Sequence, residues 1–172
     1  MKKAKNPPKK IINFLEKNKI EYDLLDHRIV FTAYDKANTL RLPEKTIAKV
    51  LLMSIDREKI FALLASNKRL CKVKFKEVIN DRRKKKGLKV IKKIDFVKET
   101  WMKKNMLGID LGALPPLGSL WKMETIADKS LMRQKEIVVS LGKYNFSVKV
   151  KTFDLKEKVP NLFIGDFSKV KK

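Results

Sequence analysis

The chain has 172 residues, 44% of them hydrophobic, enough for one folded domain with its own core. Its 42 Lys and Arg outnumber 19 Asp and Glu, and the net charge of +23 favours a polyanionic partner, nucleic acid ahead of an anionic membrane surface. One cysteine and one histidine exclude an internal disulfide and a zinc-type ligand set, and no stretch approaches the ~20 apolar residues that span a bilayer.

After Pro7-Pro8, the residues Ile11, Ile12, Leu15 and Ile20 recur at helical spacing, and EYDLLDH follows as a short strand. Thr32 and Asp35 form a capping pair that opens a helix through Leu40, ending before Pro43. Two apolar runs, 47–55 and 59–66, are joined by Asp56-Arg57-Glu58 and predict a hairpin. A helix over 74–86 carries Phe75, Val78 and Ile79 inward and stops at Gly87. LKVIK predicts a short strand, and Asp95 caps a helix carrying Phe96, Val97, Trp101 and Met102.

A glycine- and proline-rich loop, Gly108 to Leu120, separates that helix from strands over 121–127 and 136–141, which flank a helical turn at 129–134. Gly142-Lys143 turns into YNFSVKVKTF, where Phe146, Val148 and Val150 share one face, and DLKEKV forms a last helix. Short strands and helices alternate, with several strand pairs joined by tight turns, so a mixed α/β sheet is expected. Nothing divides the chain, so one domain over 1–172 is expected, with flexible basic ends at 1–8 and 166–172. The basic MKKAKNPPKK lacks the apolar stretch of a signal peptide, and the lone Cys71 fits a reducing compartment, so the expected location is cytoplasmic.

Two separated segments carry the chemical signal. DHRIVFTAYDKA, 26–37, precedes IAKVLLMSI, where Lys49 sits inside an apolar run; a lysine there needs an anionic or polar partner. GIDLGALPPLGSL is a loop whose glycines let backbone N–H groups approach a ligand. Together they describe a pocket for a phosphate or a developing oxyanion.

These segments resemble the YbaK-like family of aminoacyl-tRNA deacylases, which includes the prolyl-tRNA synthetase-associated editing domains. The matching residues are His27 through Ala33, Ala37, Ile47 to Leu52, Gly108, Gly112 to Gly118, and Asp128, Ser130 and Leu131, in order over about 9–160. The resemblance implies a curved, barrel-like mixed β-sheet flanked by short helices, and hydrolysis of the ester of a mischarged aminoacyl-tRNA, alanyl- or cysteinyl-tRNA(Pro) first. It implies that Lys49 is the essential residue and that Gly112 and Ala113 bring amides to the scissile carbonyl. It places His27, Phe31, Thr32, Leu114, Pro115, Pro116, Gly118, Asp128 and Ser130 around the substrate. Ala113 stands where many members have a second glycine; if that position needs φ > 0, alanine carries a penalty of about 1 kcal/mol or more.

The chain has no G-x-S-x-G elbow and no Cys–His pairing around Cys71, so protein groups would orient water and substrate while the terminal 2′-OH helps transfer protons. No cofactor and no metal are expected. The run Arg82-Arg83-Lys84-Lys85-Lys86 is expected to contact tRNA phosphates, or only to complement a helix C-terminus. Duller readings stand beside the others: Lys49 snorkelling to a sheet edge, His27 in a structural hydrogen bond, Thr32 or Asp128 with Ser130 as helix caps. No synthetase segments are present, so the enzyme would act in trans, with a synthetase only in a transient complex. A non-catalytic RNA-binding module of the same fold, or an enzyme for another small aminoacyl ester, are the alternatives.

Overall fold

A computed structural model describes residues 1–172. In chain order the first half holds α1 (Lys9–Lys17), β1 (Tyr22–Asp26), α2 (Ala33–Leu40), β2 (Ala48–Ile55), β3 (Glu58–Ala65), β4 (Lys68–Leu70) and α3 (Lys72–Lys85). The second half holds β5 (Ile94–Phe96), α4 (Glu99–Asn105), β6 (Thr125–Asp128), α5 (Lys129–Met132), β7 (Glu136–Lys143), β8 (Phe146–Lys151), α6 (Thr152–Lys158), β9 (Leu162–Gly165) and β10 (Ser168–Val170). No helix is long and apolar enough to cross a membrane.

The β2–β3 hairpin forms as its alternation predicts, with Ile55 opposite Glu58 and Asp56 turning the chain at φ 54°. β3, β6 and β9 run parallel to one another while β2 and β5 are antiparallel to their neighbours, giving a mixed five-stranded sheet in the order β5-β2-β3-β6-β9. A second sheet, β1-β8-β7, is wholly antiparallel. The architecture is mixed α/β as expected, but the strands fall into separate sheets rather than a closed barrel; an isolated bridge between Ile47 and Val138 joins the two larger ones.

Apolar alternation along β2, β3, β7 and β8 packs these sheets against each other: Ala48, Leu63, Val139 and Val148 share one core with Ile11 and Leu15 of α1. The opposite face of the five-stranded sheet presents Met53, Ile60 and Leu64 to Phe75 and Ile79 of α3. Each such fully buried side chain contributes about 1.5–3 kcal/mol of transfer free energy.

Four local expectations are corrected. The strand expected at LKVIK lies further on, at Ile94–Phe96, because the Asn80 side chain holds both backbone groups of Ile91 and the Asp56 carboxylate accepts from Lys92 and Lys93 N–H. Asp95 therefore sits in β5 rather than capping a helix, and α4 begins after Lys98. The strand expected from Trp121 starts only at Thr125, since Gly118–Trp121 form a 3₁₀ turn closed by Lys122 at φ 58°. At the carboxyl end, where a frayed tail was anticipated, Ser168–Val170 pair antiparallel with β4.

Two irregularities shape the site. Only Met53–Ile55 of β2 pair with β5, so the outer edge of residues 48–51 has no strand partner. The β7–β8 ladder also shifts register between Ser140 and Lys143.

Candidate active site

Beside that open edge lies a cavity of about 170 Å³, walled by β2, the start of α2, the end of β7 and Gly112 of the glycine-rich loop. The sequence placed Lys49, Phe31, Thr32, Gly112 and Ala113 in a pocket, and all five line this one. Thr32 is also the N-cap of α2: its Oγ1 accepts from Asp35 N at 3.0 Å and donates to the Asp35 carboxylate at 2.8 Å. Phe31 is exposed at the rim, its ring edge-on to Tyr144 with centroids 4.8 Å apart.

Lys49 is half-buried, and its Nζ donates to Lys68 O at 2.5 Å and Ser66 O at 3.4 Å. Burial lowers its pKa to about 8, with the cations of Lys171 and Arg69 adding to the effect against the opposing carboxylate of Glu44. A lysine held beside two further cations is a place where an anion is favoured.

The loop is fixed by Asp110. Its carboxylate accepts from Tyr144 N at 2.9 Å and pairs with Lys143 at 3.7 Å, while its N–H donates to Gly142 O at 2.8 Å. Gly112 adopts φ 83°, a left-handed value that suits glycine, and its N–H makes no hydrogen bond within the chain. Ala113 departs from its expected role: its N–H donates to Asp110 O at 3.0 Å and its carbonyl accepts from Gly142 N at 2.8 Å. That amide is committed to the turn and does not serve as an oxyanion donor. Ala113 does not take positive φ either, so alanine carries no steric penalty there.

Other predicted substrate contacts lie elsewhere. His27 is buried outside the cavity with Nδ1 against Arg28 O at 2.7 Å and Nε2 against Ser147 Oγ at 2.9 Å; desolvation lowers its pKa. Both nitrogens are occupied, which is the structural reading of a lone histidine. Leu114 is buried in the core against Leu52 and Phe61, and Pro115 and Pro116 line a separate small void under β7 and β8. Gly118 is a packing glycine: a Cβ there would lie 2.7 Å from Thr125 Oγ1 and 2.9 Å from Met123 O.

Asp128 is fully buried, capping α5 through Ser130 and accepting from Phe167 N at 3.0 Å, Ser168 N at 2.9 Å and Ser168 Oγ at 2.8 Å. Burial alone would raise its pKa; the hydrogen bonds from Ser130, Phe167 and Ser168 outweigh this and hold it below the usual carboxylate range. Asp128 and Ser130 thus anchor the carboxyl-terminal segment rather than a substrate.

In the basic run, Arg82 and Lys86 pair with Glu124, and Arg83 with Glu58. These residues, with Trp101 and Trp121, line a groove of about 640 Å³. Five cations and two carboxylates line it, and three of those cations, Arg82, Arg83 and Lys86, are held in ion pairs. Lys84 and Lys85, beside it on α3, make no ion pair.

The residues that sequence reasoning missed are Lys36, Ser140, Lys143 and Tyr144, all in the cavity wall. Lys36 is only 6% exposed and its Nζ donates to Ser140 Oγ at 2.5 Å; burial lowers its pKa to about 8. A signal was available: Lys36 precedes the small Ala37 in the first turn of a helix, where a cation opposes the dipole, and Ser140 interrupts an apolar strand.

Residues 27–158 match the family model for the aminoacyl-tRNA editing domain. No curated protein gives a match by sequence. Among solved structures, hypothetical protein APE2540 superposes with a TM-score of 0.79 at 18% identity, over 93% of this chain and 99% of that one. A structure described as a candidate trans-editing enzyme for prolyl-tRNA synthetase superposes with a TM-score of 0.73 at 15% identity, over 96% of this chain and 99% of that one.

Proposed function

Because this chain belongs to the aminoacyl-tRNA editing domain family, we propose that it hydrolyses the ester of a mischarged aminoacyl-tRNA, acting in trans. The observation that carries this reading is the cavity itself, lined at an open strand edge by both Lys49 and Gly112, whose N–H is unbonded. A small cavity fits a small acyl group, alanyl or cysteinyl, and tRNA(Pro) is the carrier that the likeness to the prolyl trans-editing structure supports. Residues 1–172 act as one editing unit in the cytoplasm, meeting tRNA after its release or in a transient complex with a synthetase.

In this reading Lys49, backed by Arg69 and Lys171, holds the phosphate of the terminal nucleotide. Water adds to the ester carbonyl carbon, the ester C–O bond breaks, and the proton reaches the leaving 3′ oxygen by way of the neighbouring 2′-OH. The Gly112 N–H donates to the developing oxyanion. Lys84 and Lys85 add salt-sensitive contacts to the tRNA backbone outside the cavity.

The test is deacylation of tRNA(Pro) charged with alanine, cysteine or proline, wild type beside Lys49→Ala. The expected result is loss of one mischarged species with wild type and a raised KM with the variant. Turnover of none, with salt-dependent tRNA binding intact, would instead make the protein an RNA-binding module.

A further inference from the structure

Three lysines line the cavity, and two of them have partners that explain their charge. Lys143 pairs with the Asp110 carboxylate, and Lys49 donates to two backbone carbonyls. Lys36 is the most buried of the three and has one neutral hydroxyl, Ser140 Oγ, at 2.5 Å. No carboxylate lies near enough to hold it as an ion pair or to raise its pKa. An ammonium has three donors, so Lys36 keeps N–H groups that no protein atom satisfies.

That arrangement is costly. A buried cation without an anion loses hydration that one hydroxyl does not replace, and its place in the first turn of α2 sets it against the helix dipole. Nothing in the packing needs a charge there; a methionine has similar length and no desolvation penalty. A local cost without a structural return is what a functional group leaves behind.

The donor inventory of the cavity shows what is missing. Ala113 N–H is committed to Asp110 O and Thr32 Oγ1 to Asp35, while Lys49 spends two of its three donors on Ser66 O and Lys68 O and its charge on the phosphate. The loop offers one amide, that of Gly112, where ester hydrolysis is served by at least two donors at the carbonyl oxygen. Lys36 is the cation left over, at the buried end of the same cavity, where the acyl group rather than the phosphate would enter.

We propose that Lys36 is a further catalytic residue, whose ammonium and the Gly112 N–H together hold the ester carbonyl oxygen as it becomes an oxyanion. This rests on the editing reading above. As the water oxygen bonds to the carbonyl carbon, the carbonyl electron pair moves onto the oxygen facing Lys36. When that pair returns, the ester C–O bond breaks, and Lys36 keeps its proton throughout. Ser140 is the positioning residue that aims the ammonium.

The test is single- and multiple-turnover deacylation of the mischarged tRNA that wild type clears, with Lys36→Met and Lys36→Gln. Loss of an oxyanion donor is expected to lower kcat by about 10²-fold while KM stays within about threefold. The glutamine variant, a neutral donor, should fall between methionine and wild type. Ethylammonium should restore part of the rate to Lys36→Ala, which a merely structural lysine would not allow. Wild-type kcat in both folded variants, or a loss confined to KM, would overturn the assignment while leaving the editing reading intact. If Lys36→Met does not fold, the glutamine variant and the rescue carry the same decision. Wild type inactive on every aminoacyl-tRNA would overturn the editing reading and this assignment with it.

Discussion

The carboxylate of Asp110 accepts the backbone N–H of Tyr144 at 2.9 Å, tying the glycine-rich loop to the turn between β7 and β8. The bond joins segments 34 residues apart in sequence, each of which contributes to the cavity wall through Gly112 and Tyr144. Asp110→Ala should lower stability by about 1.5–3 kcal/mol, as expected for a lost hydrogen bond to a charged group. It should slow deacylation by more than that loss of stability explains. Urea unfolding and kcat, measured side by side, check the two effects.

Lys36 and Lys49 both have pKa values lowered to about 8. Folding thus disfavours their protonated forms, so the cost is fully present below pH 8 and is relieved as pH rises toward the ordinary lysine value. Around Lys36 the charged groups are Lys49 and Lys143 in the cavity, with His27 nearby. Lys36→Met should stabilise the fold at pH 7, by about 3 kcal/mol at most. That advantage should shrink between about pH 8 and 10. Denaturant midpoints of wild type and variant across that range decide it; a constant difference would show that charge burial is not the cause.

Asp128 holds the carboxyl-terminal segment to α5 and β6 through Ser130, Phe167 and Ser168. Asp128→Ala leaves buried donors unsatisfied and should cost about 3 kcal/mol. Because its folded pKa is lowered, its contribution is present above the ordinary carboxylate pKa and is lost as pH falls through the folded value. The gap between variant and wild type should therefore narrow as pH falls below about 4. Hydrogen exchange should quicken first at Ser168–Val170, the strand that Asp128 anchors.

Gly112 combines φ 83° with a carbonyl, Phe31 O, 3.5 Å from where a Cβ would stand. The contact is ordinary, so the backbone angle is the main obstacle to a side chain. Gly112→Ala should cost about 1–2 kcal/mol of stability and slow turnover by misplacing the N–H. Gly118→Ala, by contrast, meets two oxygens under 3.0 Å away and should harm stability more than catalysis. Melting temperature against kcat separates the two glycines.

The elements with strong periodicity were legible in the sequence. The β2–β3 hairpin, the Thr32–Asp35 cap and the Phe146-Val148-Val150 face follow from patterning that local physics enforces. LKVIK failed because its backbone is satisfied by Asn80 and Asp56, side chains 11 and 36 residues away, which no local pattern reports. The site divides in the same way. Lys49 and Gly112 stood out because a charge in an apolar run and a glycine in a loop are local anomalies. Lys36 carries no local anomaly of comparable strength, because what buries its amine is Ser140, a partner 104 positions later.

The register shift in β7 has a consequence for how this cavity arose and how easily it is lost. In a regular strand, Ser140 and Lys143 would point to opposite sides, and only one could meet the glycine-rich loop. The shift turns both toward the same space, so one backbone defect supplies both the partner of Lys36 and the partner of Asp110. Deleting the two extra residues between 140 and 143 would repair the ladder and leave a better sheet with no place for a substrate.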